Sequence, residues 1–172
     1  MNLQSNDFEL FDLAPGFTVD KALLDERWKA LQKQAHPDRH AAADAQTQRL
    51  AMQWSVRINE AYQRLKDPLR RASYLCELNG APVEAESNTA MPTEFLMQQM
   101  EWREALEDAD SLDQLEQLAD DVSSRRRDLL ATMAKTADES RDWPKLAGQV
   151  RALMFVQRFA QDVDNRLEKM DT

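Results

Sequence analysis

Apolar residues return every three or four positions along most of the chain, a spacing typical of helices with one buried face. In the first half this pattern predicts a short helix over about residues 7–13, a longer one over about 21–35 and a third over about 45–66. With only 3 glycines and few β-branched runs, the chain favours an all-α fold over a sheet. The positions expected to be buried in these helices are Phe8, Phe11, Leu13, Leu24, Trp28, Leu31, Ala35, Leu50, Trp54, Ile58, Ala61 and Leu65.

The second half carries three further helical patterns separated by short turns. Thr93 is expected to cap a helix that ends near residue 108. Ser111 and Gln114 have the spacing of a capping box and open a helix to about 137, and Pro144 is tolerated early in the last helix. Three helices with short turns are expected to form an antiparallel bundle. Its expected core comprises Leu115, Val122, Leu129, Met133, Leu146, Val150, Leu153, Ala160 and Leu167.

Proline and glycine divide these two halves. Asp67-Pro68 ends the third helix, and Pro68 can restart a helix through Leu69, Ala72, Leu75 and Cys76. Asn79-Gly80 is a typical helix stop. Residues 81–91 are polar and interrupted by proline, so we expect a linker there. The predicted organisation is an N-terminal helical domain with its closing helix over 1–80, a linker over 81–91 and a three-helix bundle over 92–172.

Charge and cysteine content narrow the class of function. The chain has 172 residues and a net charge of −9, which is a poor match for nucleic acid or an anionic membrane surface. Its single cysteine, Cys76, cannot build a disulfide framework or a cysteine-based zinc site. The start of the chain has no basic and apolar leader, and no apolar run reaches membrane-spanning length. We therefore expect a cytoplasmic protein with no nucleic-acid or membrane partner.

A His-Pro-Asp tripeptide lies between the two long N-terminal helices. Pro37 lacks a backbone N–H and disfavours helix at His36, so the upstream helix should end near Ala35 and leave an ordered break. Basic residues occupy the outer face of that helix in an otherwise acidic chain. Each lysine alone fits a plain solvated face, whereas the cluster beside the tripeptide fits a docking surface for an acidic partner. The candidate docking residues are His36, Pro37, Asp38, Arg27, Lys29, Lys33 and Arg39.

The helix after Thr93 has two apolar faces. Phe95 and Trp102 point in one direction, which is enough to seat it in the bundle, while Met97 and Met100 point to nearly the opposite side. Methionine repacks easily and is common at binding surfaces, and carboxylates surround this second face. It therefore suits a partner with an apolar patch flanked by basic residues, the alternative being that it packs against Leu75 or Cys76. The candidate residues are Leu96, Met97, Met100, Glu101, Glu104, Asp108 and, from the last helix, Phe155.

Signs of bond chemistry are missing from the sequence. It has no glycine-rich phosphate loop, no paired cysteines and no His-x-x-x-His metal motif on a helix. His36 and His40 are four residues apart, but Pro37 interrupts the helix that would align them. We expect no enzyme activity, no cofactor and no metal site.

The His-Pro-Asp tripeptide between two antiparallel helices resembles a J-domain. Together with residues 71–75, residues 95–104 and a short acidic bundle, the whole chain resembles the HscB family of co-chaperones in iron–sulfur cluster biogenesis. The resemblance implies that the J-domain stimulates the DnaK-type ATPase HscA and that the bundle binds the cluster scaffold IscU. By the same resemblance, the seven candidate residues of the second apolar face would bind the scaffold. Two departures are Ala35, where the family often has an aromatic residue, and Asp108, where a glutamate is expected.

Two other functions compete with this interpretation. A general J-protein would use its bundle to bind unfolded clients, although the glycine- and phenylalanine-rich linker and the zinc-finger cysteines common in such proteins are missing. A purely structural helical adaptor would bind neither a chaperone nor a scaffold.

Within the family that the chain resembles, the absence of N-terminal cysteine motifs favours a bacterial-type member. We expect it to act as a monomer or weak dimer.

Overall fold

The computed structural model describes residues 2–171, and all regular structure within them is helical. The helices are α1 (Asp7–Leu10), α2 (Lys21–Ala35), α3 (Ala45–Lys66), α4 (Pro68–Leu78), α5 (Thr93–Asp108), α6 (Leu112–Lys135) and α7 (Trp143–Met170). A 3₁₀ turn spans Pro37–His40, and a π turn spans Thr136–Ser140. The all-α class predicted from the sequence is confirmed.

Side-chain caps set most of the helix starts. Asp20, Asp44 and Asp142 each accept a hydrogen bond from a backbone N–H in the first turn of α2, α3 and α7. The expected cap at Thr93 is wrong, because Pro92 takes the cap position and makes no side-chain bond. Ser111 caps α6 as expected, but Gln114 accepts from the Asp110 N–H, so the reciprocal half of the capping box is shifted by one residue.

The described chain separates into two compact units, with residues up to Tyr74 in the first and residues from Leu75 onward in the second. This division lies within α4 and therefore earlier than the limit expected at residue 80. The reason is that Cys76 packs with the second unit, where its Sγ lies 3.8 Å from the Trp143 carbonyl oxygen.

The first unit is an α2–α3 hairpin with α1 packed against α3. Phe8, Leu24 and Ile58 are fully buried between these helices. A buried carboxylate also ties the N-terminus to α3: Asp7 lies 2.8 Å from Arg57 Nη1 and 2.6 Å from Arg64 Nε. These contacts gather the core at the end of the hairpin that is farther from the 3₁₀ turn.

The other end of the hairpin is less well packed than the stripe pattern predicts. Leu50 was expected in the core and is 47% exposed. An open cavity of about 290 Å³ lies there, lined in part by Leu31, Ala35, Leu50 and Trp54. Within the first unit α2, α3 and the 3₁₀ turn meet at this end, and Ala35 is too small to fill the space between them. Seven other residues expected in the core are only half-buried: Leu13, Trp28, Leu31, Ala35, Trp54, Ala160 and Leu167.

The second unit is the three-helix bundle of α5, α6 and α7. α6 and α7 pack along each other, and α5 packs on α6 while Trp102 stacks on Phe155 and Phe159 of α7. Residues 81–91 contain no helix, as expected of a linker, but they are held in place. Val83 is buried, and Arg151 of α7 donates hydrogen bonds to the carbonyl oxygens of Val83 and Ala90.

Candidate functional site

The His-Pro-Asp segment forms a closed turn at the tip of the hairpin. α2 ends at Ala35, and Pro37 opens the 3₁₀ turn with its fixed φ angle. The Arg39 N–H donates to the His36 carbonyl oxygen over 3.0 Å, and the Asp38 N–H donates to His36 Nδ1 over 3.2 Å. The tip is therefore ordered by its own hydrogen bonds, as the proline pattern predicts.

The carboxylate of Asp38 projects from this turn into solvent. Its side chain is 94% exposed, and its Oδ2 lies 3.6 Å from His36 Nδ1. His36 Nδ1 is engaged as the acceptor of the Asp38 backbone hydrogen bond. Asp38 thus presents an exposed anion on a fixed backbone.

Side-chain hydrogen bonds also support the base of the turn. His40 Nε2 lies 3.1 Å from the Gln34 carbonyl oxygen, which ties the turn back to α2. Gln48 of α3 donates to the carbonyl oxygens of Ala41 and Ala43 over 2.9 and 3.0 Å. Both helices of the hairpin therefore fix the position of the tip.

The predicted basic residues separate into two groups. Lys29, Lys33 and Arg39 are exposed and form no ion pair among residues 2–171. Arg27 was expected beside the tip but lies nine residues before His36, about 13 Å along the helix. Its guanidinium is 34% exposed and donates to the carbonyl oxygens of Phe11 and Asp12, so it anchors the end of α1. The free cationic surface at the tip consists of Lys29, Lys33 and Arg39.

The second candidate surface lies on α5, and its apolar side chains face solvent. Leu96 is 46% exposed, Met97 is 62% exposed and Met100 is 68% exposed. The exposure predicted from the helical angles is confirmed, and the alternative that these side chains are sealed against Leu75 or Cys76 is wrong. We call this surface, with Glu101, Glu104, Asp108 and Phe155, the methionine face.

Carboxylates border the methionine face. Glu101, Glu104 and Asp108 are all exposed. Gln98 Nε2 donates weakly to Glu101 Oε2 over 3.4 Å, and none of the three forms an ion pair within the described chain. This border can accept basic side chains of a partner without first breaking an internal salt bridge.

Phe155 connects the methionine face to the bundle. Its ring is half-buried and stacks on Trp102 at 5.7 Å, and it meets Phe159 at 6.1 Å. The aromatic cluster supplies a rigid base under the mobile methionine side chains. Phe155 therefore lies beside α5, as expected from its position off the inward stripe of α7.

Sequence reasoning missed a groove next to this face. It has a volume of about 430 Å³ and is lined by α5, α7 and residues 85–91. Arg103, Arg151 and Arg158 line it together with Leu96 and Phe155. The α7 side of the groove is a helical stripe with i, i+4, i+7 spacing: Arg151, Phe155 and Arg158. This spacing is visible in the sequence, but only the fold shows that α5 and residues 85–91 face it.

Within residues 2–171 no three or more histidine, cysteine or acidic side chains are grouped so as to hold a metal ion. None of the helices formed by these residues combines the length and apolar character required to cross a bilayer.

A helical hairpin with an exposed His-Pro-Asp turn, followed by a helical bundle, defines a J-domain co-chaperone. Comparison with known proteins identifies the family. The family model described as "HSCB C-terminal oligomerisation domain" matches residues 91–164. The co-chaperone protein HscB homolog of Burkholderia thailandensis is 45% identical over 99% of both chains, and that of Burkholderia vietnamiensis is 43% identical over 100% of this chain and 99% of its own. The chain belongs to the HscB co-chaperone family.

Solved structures agree with this assignment. Chaperone HscB from Vibrio cholerae matches with a TM-score of 0.80 and 37% identity, over 96% of this chain and 99% of its own. Human co-chaperone HscB matches with a TM-score of 0.87 over 96% of this chain and 84% of its own, at 23% identity, a likeness of fold. The Burkholderia relatives are named as co-chaperones, and the Vibrio protein is named as a chaperone.

Proposed function

We propose that this protein stimulates ATP hydrolysis by a DnaK-type chaperone, HscA, and delivers the iron–sulfur scaffold protein IscU to it. It acts in the cytoplasm and performs no bond chemistry of its own. The observation that carries the proposal is the exposed methionine face, which leaves a client surface on a unit separate from the His-Pro-Asp tip. Membership of the HscB family supplies the identity of both partners.

The tip is suited to act as the ATPase-stimulating surface. Lys29, Lys33 and Arg39 are exposed cations that attract an acidic region of the chaperone and speed its encounter. Asp38 is an exposed anion on a turn fixed by hydrogen bonds, so it can meet one conformation of the chaperone better than another. A ligand shifts a conformational equilibrium only through such a difference in contact.

The methionine face is suited to hold the scaffold. Leu96, Met97 and Met100 offer apolar area that adapts to a partner, and truncating such central residues usually costs most of an interface's affinity. The carboxylates at its border favour a partner with basic residues around an apolar patch. The face therefore binds a folded surface of defined charge better than an unfolded chain.

Coupling follows from having both surfaces on one chain. A scaffold bound to the methionine face is held near the chaperone whenever the tip is docked, so its effective concentration rises into the millimolar range, about 1 mM. Delivery then needs no direct signal between the two surfaces.

The test is a steady-state ATPase assay of the chaperone with this protein, with and without scaffold. We expect stimulation by the protein alone and a further increase when the scaffold is added. Because the matched family model is described as an oligomerisation domain, light scattering under the same conditions accompanies the assay, and we expect a monomer or weak dimer. Binding to denatured polypeptides with no binding to the folded scaffold would instead support a general J-protein.

A further inference from the structure

The groove beside the methionine face has an apolar floor and a charged rim. Leu96 and Phe155 belong both to the methionine face and to the groove, so a partner seated on the face also reaches the groove. Residues 85–91 form one wall, and the bonds from Arg151 to the carbonyl oxygens of Val83 and Ala90 hold this wall against α7. The groove is therefore a fixed feature of the second unit.

Two of its three arginines have no partner. Arg151 is committed to backbone carbonyls, whereas Arg103 and Arg158 are exposed and form no hydrogen bond or ion pair within residues 2–171. Glu107 and Asp162 lie one turn further along the same helices and also line the groove. An ion pair between helical residues four apart is less favourable when the acidic residue follows the arginine. This order is consistent with guanidinium groups that form no ion pair within the described chain.

We propose that this groove receives an acidic residue flanked by apolar residues from the docking segment of the scaffold partner, and that Arg103 and Arg158 pair with its carboxylate. The proposal rests on the scaffold binding proposed above. Arginine binds carboxylates through two parallel N–H groups, and a partly shielded groove strengthens such a pair relative to open solvent. The flanking apolar side chains cover Leu96 and Phe155.

The two edges of α5 then differ in charge, because the groove edge carries Arg103 beside Glu107 and the other edge carries carboxylates. Arg103 lies seven residues after Leu96, on the edge that faces the groove, while Glu101, Glu104 and Asp108 occupy the other edge. A partner with basic residues on one side of its apolar patch and a carboxylate on the other fits in one orientation only. The reversed orientation places like charges together, so the groove sets the orientation as well as the affinity.

The test measures binding of IscU-type scaffold to the full-length protein by titration calorimetry. In the variant with Arg103→Glu and Arg158→Glu we expect an affinity about tenfold lower, as two guanidinium contacts become repulsive. The matched control carries Arg127→Glu and Lys145→Glu, two exposed cations of the same unit that do not line the groove. We expect the control to bind within about twofold of the unsubstituted protein.

Further variants keep the outcome decisive. If circular dichroism shows loss of helix in the glutamate variant, Arg103→Gln and Arg158→Gln replace it, and we expect a weaker salt dependence of binding than that of the unsubstituted protein. Reversing one carboxylate of the scaffold to lysine should restore the affinity of the glutamate variant. The inference is overturned if the glutamate variant and the control bind alike, or if the glutamate variant alters only self-association. If the unsubstituted protein does not bind scaffold at all, the proposed function itself is wrong, and the inference about the groove is wrong with it.

Discussion

The tip of the hairpin and the methionine face differ in how they are built. The tip is small, polar and held by backbone geometry: Pro37 fixes the turn, and hydrogen bonds that involve the side chains of His36, His40 and Gln48 close it. The methionine face is larger, apolar and made of side chains with many rotamers. A surface that must distinguish two conformations of an ATPase benefits from a fixed charge, whereas a surface that must hold a client protein benefits from apolar area that can adapt.

The two surfaces also differ in how their charges are prepared. In the first unit, Arg27 is bound to carbonyl oxygens near the end of α1 and is not available for docking. The exposed cations that remain are Lys29, Lys33 and Arg39. At the methionine face, the bordering carboxylates and the groove arginines form no ion pair with any of the residues that the structure describes. The difference shows that a position in a basic stripe does not by itself identify a docking charge, since an arginine there can be structural.

The largest expected effect comes from removing the charge at the tip. Asp38→Asn keeps the size of the side chain but removes its negative charge, so stimulation of the chaperone ATPase should fall by at least about tenfold. Scaffold binding, measured by calorimetry, should be unchanged. Glu26→Gln, at an exposed position of α2, is the control and should stimulate normally. Stimulation that survives Asp38→Asn would show that the tip is not the switch.

The second effect concerns the methionine face. Replacing Leu96, Met97 and Met100 by alanine should lower scaffold affinity by about 100-fold, because the central apolar contacts of an interface carry most of its binding energy. Stimulation of the ATPase without scaffold should persist. Leu112→Ala with Met170→Ala removes exposed apolar residues elsewhere in the second unit and provides the control. Equal affinities for the two variants would remove the methionine face from the interface.

A smaller effect separates structural from docking cations. Arg27→Ala leaves two carbonyl oxygens without their donor and should lower the free energy of unfolding by about 2 kcal/mol. Lys33→Ala should leave that free energy within about 0.5 kcal/mol of the original. It should weaken chaperone docking about threefold at low salt and less at high salt. Urea unfolding and docking titrations measure the two quantities, and the assignment is wrong if the two variants exchange these effects.

The change with the smallest effect on docking lies in the interior of the second unit, away from both surfaces. Burial raises the pKa of the Cys76 thiol to about 12 from an ordinary value of 9.0. Because the pKa is higher in the folded state, the thiol's contribution to stability is complete below pH 9.0 and is lost as the pH rises toward 12. Unfolding experiments from pH 8 to 11 should show a steeper loss for the original protein than for Cys76→Ala. Parallel curves would mean that the thiol is not buried in solution.

Much of this architecture is predictable because local rules decide it. Proline at 37 and 68, glycine at 80 and the aspartate caps fix the helix limits to within a few residues, and helical angles place Met97 and Met100 on the outside. Leu50 shows where such rules stop. Its spacing matches the buried stripe of α3, but burial depends on a neighbouring helix, and none covers that end of the hairpin.

The charged groups show the same limit. The identity of an arginine does not reveal its partner: Arg27 was expected at the tip and instead binds carbonyls across the first unit, while Arg151 pins a segment 61 residues earlier in the chain. These bonds join distant positions and leave no periodic pattern. The roles of the tip and of the methionine face remain predictions from family resemblance and geometry.

The central claim is that one chain must carry both surfaces, and a mixing experiment tests it most directly. The Asp38→Asn variant and the variant with alanine at Leu96, Met97 and Met100 are combined in equal amounts with chaperone and scaffold, and ATP hydrolysis is measured. We predict that the mixture stimulates no more than the alanine variant alone, because neither chain links scaffold to chaperone. Recovery of the full scaffold-dependent increase would contradict the account.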